Sequence, residues 1–427
     1  MTHFGLICPS STGHLNTMLP LGRELKQRGH RITLLGSLDA KSKTLAAELE
    51  FKGIGESEFP QGTMAESLAK LGKLKEREAL KYTIQILAES ANVLLRDAPK
   101  AIEEAGVEAL LVDQAASEGG TVAEYLNIPF ISICSAVVLN REASVPPYFT
   151  TWSYNRAWWG RLRNKLGYKI LNRLGQPITE VIARYRQEWN LPTLSNPNER
   201  YSKLAQISQQ PAELEFPREE LPQWFHFTGP YHSPVGREVP GFPYDKLTNK
   251  PLIYASMGTV QNRLLGVFQQ IAEACVGLDA QLVISLGGSA KPESLPELAG
   301  SPLVVEYAPQ LELLQKAALT ITHAGMNTTL ECLTNGVPMV AIPIANDQPG
   351  IAARIAWSGC GEIIPVKKID VAKLRTAIQK VLTEDYYKKN ALRLQKAIQQ
   401  AGGVSQAADI IEQVVTTKKP VVAQIKS

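Results

Sequence analysis

The sequence predicts an α/β protein of two Rossmann-like, parallel-sheet domains that face a cleft. One observation is a strand–helix–strand pattern that opens the chain and recurs. Another is the length of 427 residues, too long for one ordinary core and comfortable for two. The last is a Pro- and Gly-rich stretch near the middle, without periodicity, after which a second strand–helix pattern begins.

Phe4–Cys8 reads as a short buried strand and Pro9–Gly13 as a loop of small residues. Leu15–Arg28 reads as a helix, with Leu15, Met18, Leu19, Leu21 and Leu25 at helical spacing, and Gly29 ends it. Arg31–Leu35 is the next strand, which completes a βαβ unit and implies a parallel sheet. Ala109–Val112 is a strand running into Asp113; a helix around Thr121–Leu126 and the strand Phe130–Cys134 follow. The stretch 146–192 is aromatic, basic and helical in flavour. A boundary falls near Phe227–Pro230. The expected division is an N-terminal domain over 1–230, a linker over 231–250, a C-terminal domain over 251–400 and a closing helix and tail over 401–427. In the second domain Leu252–Ser256, Gln281–Ser285, Leu303–Tyr307, Leu319–Thr322 and Met339–Pro343 read as strands, and Leu264–Val276 as a helix.

Composition narrows the classes. Hydrophobic residues make up 44% and charged residues 20%, which is ordinary for a globular protein. A net charge of +4 spread over this length does not argue for a nucleic-acid partner. The five cysteines are widely spaced, with no CxxC pair, so neither a disulfide framework nor a zinc site follows. No signal peptide is expected, and no apolar run reaches the roughly 18–20 residues of a spanning helix. The expected setting is the cytoplasm.

Candidate site residues all lie just after strands, where open α/β sheets bind ligands. In Thr322-His323-Ala324-Gly325-Met326-Asn327-Thr328-Thr329-Leu330-Glu331, a strand runs into His323, Gly325 allows a tight turn, and a helix starts near Asn327. Free N–H groups and the positive helix end suit a diphosphate. His323 can add a donor there, and Glu331 can accept from ribose hydroxyls. Ser256-Met257-Gly258-Thr259 is a second glycine turn after a strand; Ser256, Gly258 and Thr259 can hold the other side of the diphosphate, although alone they also read as a plain βα turn. On the other half of the chain, Gly13-His14 sits at the first strand-to-helix turn and Asp113 at the end of a later strand. A histidine backed by a carboxylate is a general base for an alcohol. Taken singly, His14 reads equally as a polar helix start and Asp113 as a helix cap.

From Tyr307 to Gln348 the sequence resembles the nucleotide-sugar signature of family 1 glycosyltransferases: a Pro-Gln pair, His-x-Gly-x-Asn-Ser/Thr-x-x-Glu, Gly-Val-Pro and a final Asp-Gln occur in order. The resemblance implies the GT-B fold, a closing helix that returns to the first domain, and a UDP-sugar donor, with glucose favoured by Gln348. It implies that Tyr307, usually Trp, stacks on uracil beside Pro309 and Gln310. His323, Asn327 and Thr328 would bind the diphosphate, Glu331 the ribose, and Asp347 and Gln348 the sugar hydroxyls. Gly13 is counted with the donor residues. His14 matches the family's base and Asp113 its partner; the Pro that usually follows the His is replaced by Thr17, a change expected to alter the helix start and not the chemistry. The implied reaction is an inverting transfer to give a β-glucoside, without metal or other cofactor, because the helix dipole and side chains do that electrostatic work; no DxD motif is visible near either turn. A UDP-N-acetylglucosamine 2-epimerase-like isomerase and a non-catalytic sugar-nucleotide binder on the same fold are the alternatives.

For the acceptor, Tyr148, Phe149, Trp152, Tyr154, Trp158 and Trp159 are expected to line an apolar pocket or, with the basic residues from Arg156 to Arg173, to rest on a membrane surface; a solvated basic face with core aromatics is the plainer alternative. Asp347–Arg354 and the opening Thr2-His3-Phe4 look like bacterial carotenoid glucosyltransferases, with macrolide-type transferases next. That likeness implies a hydroxylated apolar acceptor: a carotenoid, or else a flavonoid, sterol or polyketide.

Overall fold

A computed structural model describes residues 1–74, 76–232, 241–258, 265–288 and 291–423. Thirteen described strands form two sheets. The first contains β1 (His3–Ile7), β2 (Arg31–Gly36), β3 (Glu50–Gly53), β4 (Ala109–Asp113), β5 (Phe130–Cys134), β6 (Gln206–Ser208) and β7 (Phe225–Phe227), in the order β3-β2-β1-β4-β5-β6-β7. The second contains β8 (Leu252–Ser256), β9 (Gln281–Ser285), β10 (Leu303–Val305), β11 (Ala317–Thr322), β12 (Met339–Ala341) and β13 (Gly361–Ile363), in the order β10-β9-β8-β11-β12-β13. The pairings are parallel throughout. This explains the near-continuous apolar runs of β1, β4 and β8: helices cover both faces, so every residue of these strands is buried.

Strand order reverses direction beside β1 in the first sheet and beside β8 in the second. β1 pairs with β2 on one side and β4 on the other, and β8 pairs with β9 and β11. Chain leaving the carboxyl ends of such neighbours departs to opposite sides and opens a crevice. The turns after β1 and β4, and those after β8 and β11, are therefore the two places where the fold builds a site.

One face of the first sheet is covered by the helices Thr12–Gln27 and Gly403–Thr417, where Leu15, Met18, Leu21, Ala407, Ile411 and Val414 close a core with Phe4 and Leu6. The last helix thus lies on the first domain, and Arg28 holds it there through Asp409 at 2.6 Å and Glu412 at 2.8 Å. The opposite face carries the long helix Glu76–Ala105 and Gln176–Glu188.

A buried ion pair joins the domains. The Arg354 guanidinium donates to Glu215 Oε1 at 2.5 and 3.0 Å, and both side chains are almost fully enclosed. Burial alone would raise the Glu215 carboxyl, but Arg354 and Arg218 outweigh it and hold it at about 2. Phe216 lies under the Arg354 guanidinium, 4.5 Å from ring centroid to charge, and also stacks with Tyr154.

Candidate active site

The helix after β1 begins at Thr12, so Gly13 and His14 belong to its first turn and not to the loop before it. Thr17 does not disturb the helix start; it is fully buried one turn on. β1 and β4 run in register, Ile7 opposite Val112, which brings the turn bearing His14 beside Asp113. His14 Nδ1 lies 2.7 Å from Asp113 Oδ2. Asp113 is buried, and its other oxygen accepts the Ala115 N–H at 2.9 Å. Ser135 Oγ, just past β5, donates to the same Oδ2. A carboxylate only accepts, so Nδ1 carries the proton and Nε2 keeps its lone pair. Burial alone would lower the His14 pKa; the Asp113 charge and hydrogen bond, and the Asp347 charge, outweigh it and raise it above its ordinary value. Burial raises the Asp347 carboxyl in turn, opposed by His14 and the Val137 N–H.

Across the cleft, Thr322 of β11 pairs with Ser256 of β8, which sets the two glycine turns side by side. The His323 ring lies between them. A Cβ on Gly258 would come 2.8 Å from that ring, and one on Gly325 would come 2.5 Å from its Nε2. Gly258 also has φ +75°, a left-handed conformation natural to glycine. Burial pushes His323 down to about 4, the Ser256 backbone opposing, so the ring is neutral at pH 7. Its Nδ1 is buried without a hydrogen-bond partner. The helix Met326–Thr334 starts directly after Gly325, with no side chain capping it, which leaves first-turn N–H groups for a ligand. Thr259 lies outside the described residues.

Several expected donor residues have other partners here. Asn327 Nδ2 donates to the Gly13 carbonyl at 2.8 Å, so it clasps the turn that bears His14. Glu331 is buried and accepts from the Gln310 amide. Gln310 also accepts from Tyr254 at 3.0 Å and reaches toward Thr328 at 3.5 Å. Pro309 forms the start of the helix bearing Gln310. Gln348 Oε1 accepts from the Ile344 and Ala345 N–H groups at 2.9 and 3.0 Å, closing the loop before its own helix. Asp347 accepts from Val137 N–H at 3.4 Å across the cleft. Tyr307 is half exposed, and a Cβ on Gly288 would collide with its hydroxyl, so glycine there lets the hydroxyl end of the ring lie against the backbone.

Sequence reasoning missed Gln209. The Nε2 of this buried amide lies 2.9 Å from Thr17 Oγ1, 2.5 Å from the Ser135 carbonyl and 3.1 Å from Asn327 Oδ1, three acceptors that share its two N–H groups. It ties the base-bearing helix, the Asp113 neighbourhood and the donor-side helix together. No local pattern marks it, because all three partners are distant in sequence. The aromatic set of 146–173 also divides. Tyr148 backs onto Gly350, Tyr154 joins the Phe216 and Trp357 rings at the domain junction, and Trp158 and Trp159 point to solvent. Tyr148, Tyr154 and the Trp158–Trp159 pair thus have three different surroundings. An open cavity of about 670 Å³ between Phe216, Arg218, Trp357, Tyr386 and Arg393 contains neither His14 nor His323.

A family model for "UDP-glucoronosyl and UDP-glucosyl transferase" matches residues 5–401. The chain belongs to this family. It is 34% identical over 425 residues to a zeaxanthin glucosyltransferase of Pantoea ananas, covering 99% of this chain and 98% of the relative. A zeaxanthin glucosyltransferase of Pseudescherichia vulneris is 30% identical over 424 residues, covering 99% and 100%. The fold is similar to that of CalG4, the calicheamicin glycosyltransferase, with a TM-score of 0.75 over 98% of this chain and 100% of that one at 20% identity. This UDP-glycosyltransferase is therefore a GT-B enzyme that glycosylates small molecules, which sets aside the isomerase and the non-catalytic binder.

Proposed function

We propose that this enzyme transfers glucose from UDP-glucose, with inversion, to a hydroxyl of an apolar acceptor and releases a β-glucoside, with no metal or other cofactor. The observation that carries it is the His14–Asp113 pair on a turn clasped to the donor-side helix by Asn327. His14 Nε2 takes the acceptor proton while Asp113 stabilises the imidazolium that forms. The acceptor oxygen bonds to the anomeric carbon from the face opposite the diphosphate. The bond from that carbon to the β-phosphate oxygen breaks, and its electron pair leaves with UDP. First-turn N–H groups of Met326–Thr334, the Thr328 hydroxyl, neutral His323 and the turn at Ser256 and Gly258 receive the growing negative charge. Asn327 exchanges the Gly13 carbonyl for a phosphate oxygen, Tyr307 stacks on the base beside Gly288, and Glu331 turns to the ribose. Asp347 and Gln348 hold the sugar.

The names of the two carotenoid-type relatives support a hydroxylated carotenoid as acceptor. Such an acceptor dissolves in lipid, so the enzyme is expected to work from the cytoplasm at a membrane surface. No described helix is long and apolar enough to cross a membrane. The test is incubation with UDP-glucose and zeaxanthin, a flavonol, a sterol or a macrolide, with product mass and anomeric configuration read by NMR. A β-linked hexose on the carotenoid is expected; an α-linked product would overturn the inverting mechanism.

A further inference from the structure

The helix Trp158–Leu174 is amphipathic in the wrong sense for a globular protein. Its inward line is Gly160, Asn164, Gly167 and Leu171, all buried. A Cβ on Gly160 would come 2.6 Å from the Asn155 carbonyl, and one on Gly167 would come 2.8 Å from Pro147, so the helix docks through its backbone. The large apolar side chains face outward instead. Trp158, Leu162, Leu166 and Ile170 recur every four residues and so share one stripe, with Trp159 beside it, and all five are 49–76% exposed. A continuous apolar stripe of this kind marks a contact surface.

Charge identifies the occupant. Between Arg156 and Arg173 there are six Lys or Arg residues and no acidic one, in a chain whose net charge is only +4. Arg161 shares Glu219 and Arg163 lies over Trp152, while Lys165, Lys169 and Arg173 stand exposed next to the stripe. Apolar side chains flanked by long cationic ones suit the boundary between acyl chains and anionic headgroups. The chain leading into this helix borders the site: Ser135 bonds Asp113, Val137 faces Asp347, Tyr148 backs Gly350, and Trp152 packs against Gly167.

We infer that Trp158–Leu174 is a membrane-docking helix that lays its Trp158–Leu162–Leu166–Ile170 stripe into an anionic phospholipid surface and presents the cleft to acceptors dissolved there. Its purpose rests on the apolar-acceptor proposal, but binding is read without turnover, so failure of one leaves the other standing.

The test is flotation of the full chain with vesicles of equal parts phosphatidylglycerol and phosphatidylcholine, against pure phosphatidylcholine, at low and high salt. The wild type is expected to float with the anionic vesicles and to be released by salt. Leu162→Ser/Leu166→Ser/Ile170→Ser should weaken partitioning by at least about tenfold. Lys165→Glu/Lys169→Glu should weaken it by at least about twentyfold, since each basic residue near an anionic leaflet is worth roughly fivefold. Circular dichroism and UDP affinity check that both variants are folded. Wild-type protein that stays in solution, or a serine variant that floats equally, overturns the inference. So does a concentration-dependent dimer that the serine variant lacks, because a second copy would then cover the stripe.

Discussion

Replacing Asp113 with Asn keeps the shape of the carboxylate and removes its charge. Two consequences follow from the 2.7 Å contact with His14 Nδ1. An amide can donate to Nδ1, which moves the ring proton to Nε2, the nitrogen that must accept from the substrate. The imidazolium also loses its counter-charge. At an effective dielectric of about 20, unit charges about 4 Å apart interact by about 4 kcal/mol. That equals about three decades of rate, and the same change in a serine-protease triad costs about 10⁴. The expected loss in kcat is therefore about 10³–10⁴, with UDP affinity unchanged, because Asp113 lies on the acceptor side. The pH profile gives an independent readout. In the wild type His14 is a base only above its own pKa, which is raised, so kcat/KM should climb through a limb above the ordinary histidine value of about 6.5. In Asp113→Asn burial remains while the main raising influence is gone, so that limb moves to lower pH. Stopped-time assays of UDP release across pH 5–9 read both effects. A variant keeping a tenth or more of the activity, with an unmoved limb, would refute the pairing.

Gln209→Ala removes the amide that joins Thr17, Ser135 and Asn327, and leaves buried partners unsatisfied at about 1–3 kcal/mol; kcat/KM for transfer should fall about tenfold or more, and an unchanged value would show that the domains are aligned by other contacts. Gly325→Ala puts a methyl 2.5 Å from His323 Nε2, so UDP binding measured by calorimetry should weaken at least tenfold; equal affinity would remove His323 from the donor site. Glu215→Ala takes the shared carboxylate from two buried cations, Arg354 and Arg218, and should cost about 3–5 kcal/mol of stability by denaturant titration. A Glu215→Leu/Arg354→Met double variant should recover only the part due to Arg354, because Arg218 still lacks the carboxylate, and an unaltered midpoint in the single variant would contradict the buried-pair account. The Glu215 pKa of about 2 lies below that of an unfolded carboxylate, so the pair's contribution is full above about pH 4.5 and fades as pH falls toward 2.

The parts of the fold legible in the sequence are those where local signal and burial coincide. β1, β4, β8 and β11 are apolar runs bounded by small or polar residues, and their order placed the candidate groups after strands. β6 and β7 are three residues each, Gln-Ile-Ser and Phe-His-Phe, too short to show a period. The 30-residue helix Glu76–Ala105 is likewise not among the elements the sequence predicts. At the site, residue types and turn positions could be read for His14, Asp113, His323 and Gly325. What could not be read is tertiary: that Asn327 reaches the Gly13 carbonyl, that Ser135 adds a second side-chain donor to Asp113, and that Gln209 links three elements. The four-residue spacing from Trp158 to Ile170 is visible in the sequence, but the face it occupies is decided by Gly160 and Gly167 packing inward.

The most direct test of the central claim is transfer from UDP-glucose to zeaxanthin by the wild type and by His14→Ala, followed as product mass, with UDP affinity measured on both. The expected result is a hexose increment with the wild type, its loss by at least three decades in the variant, and equal UDP affinity. Undiminished transfer by His14→Ala would contradict the account, because no base would then be acting from the His14–Asp113 pair.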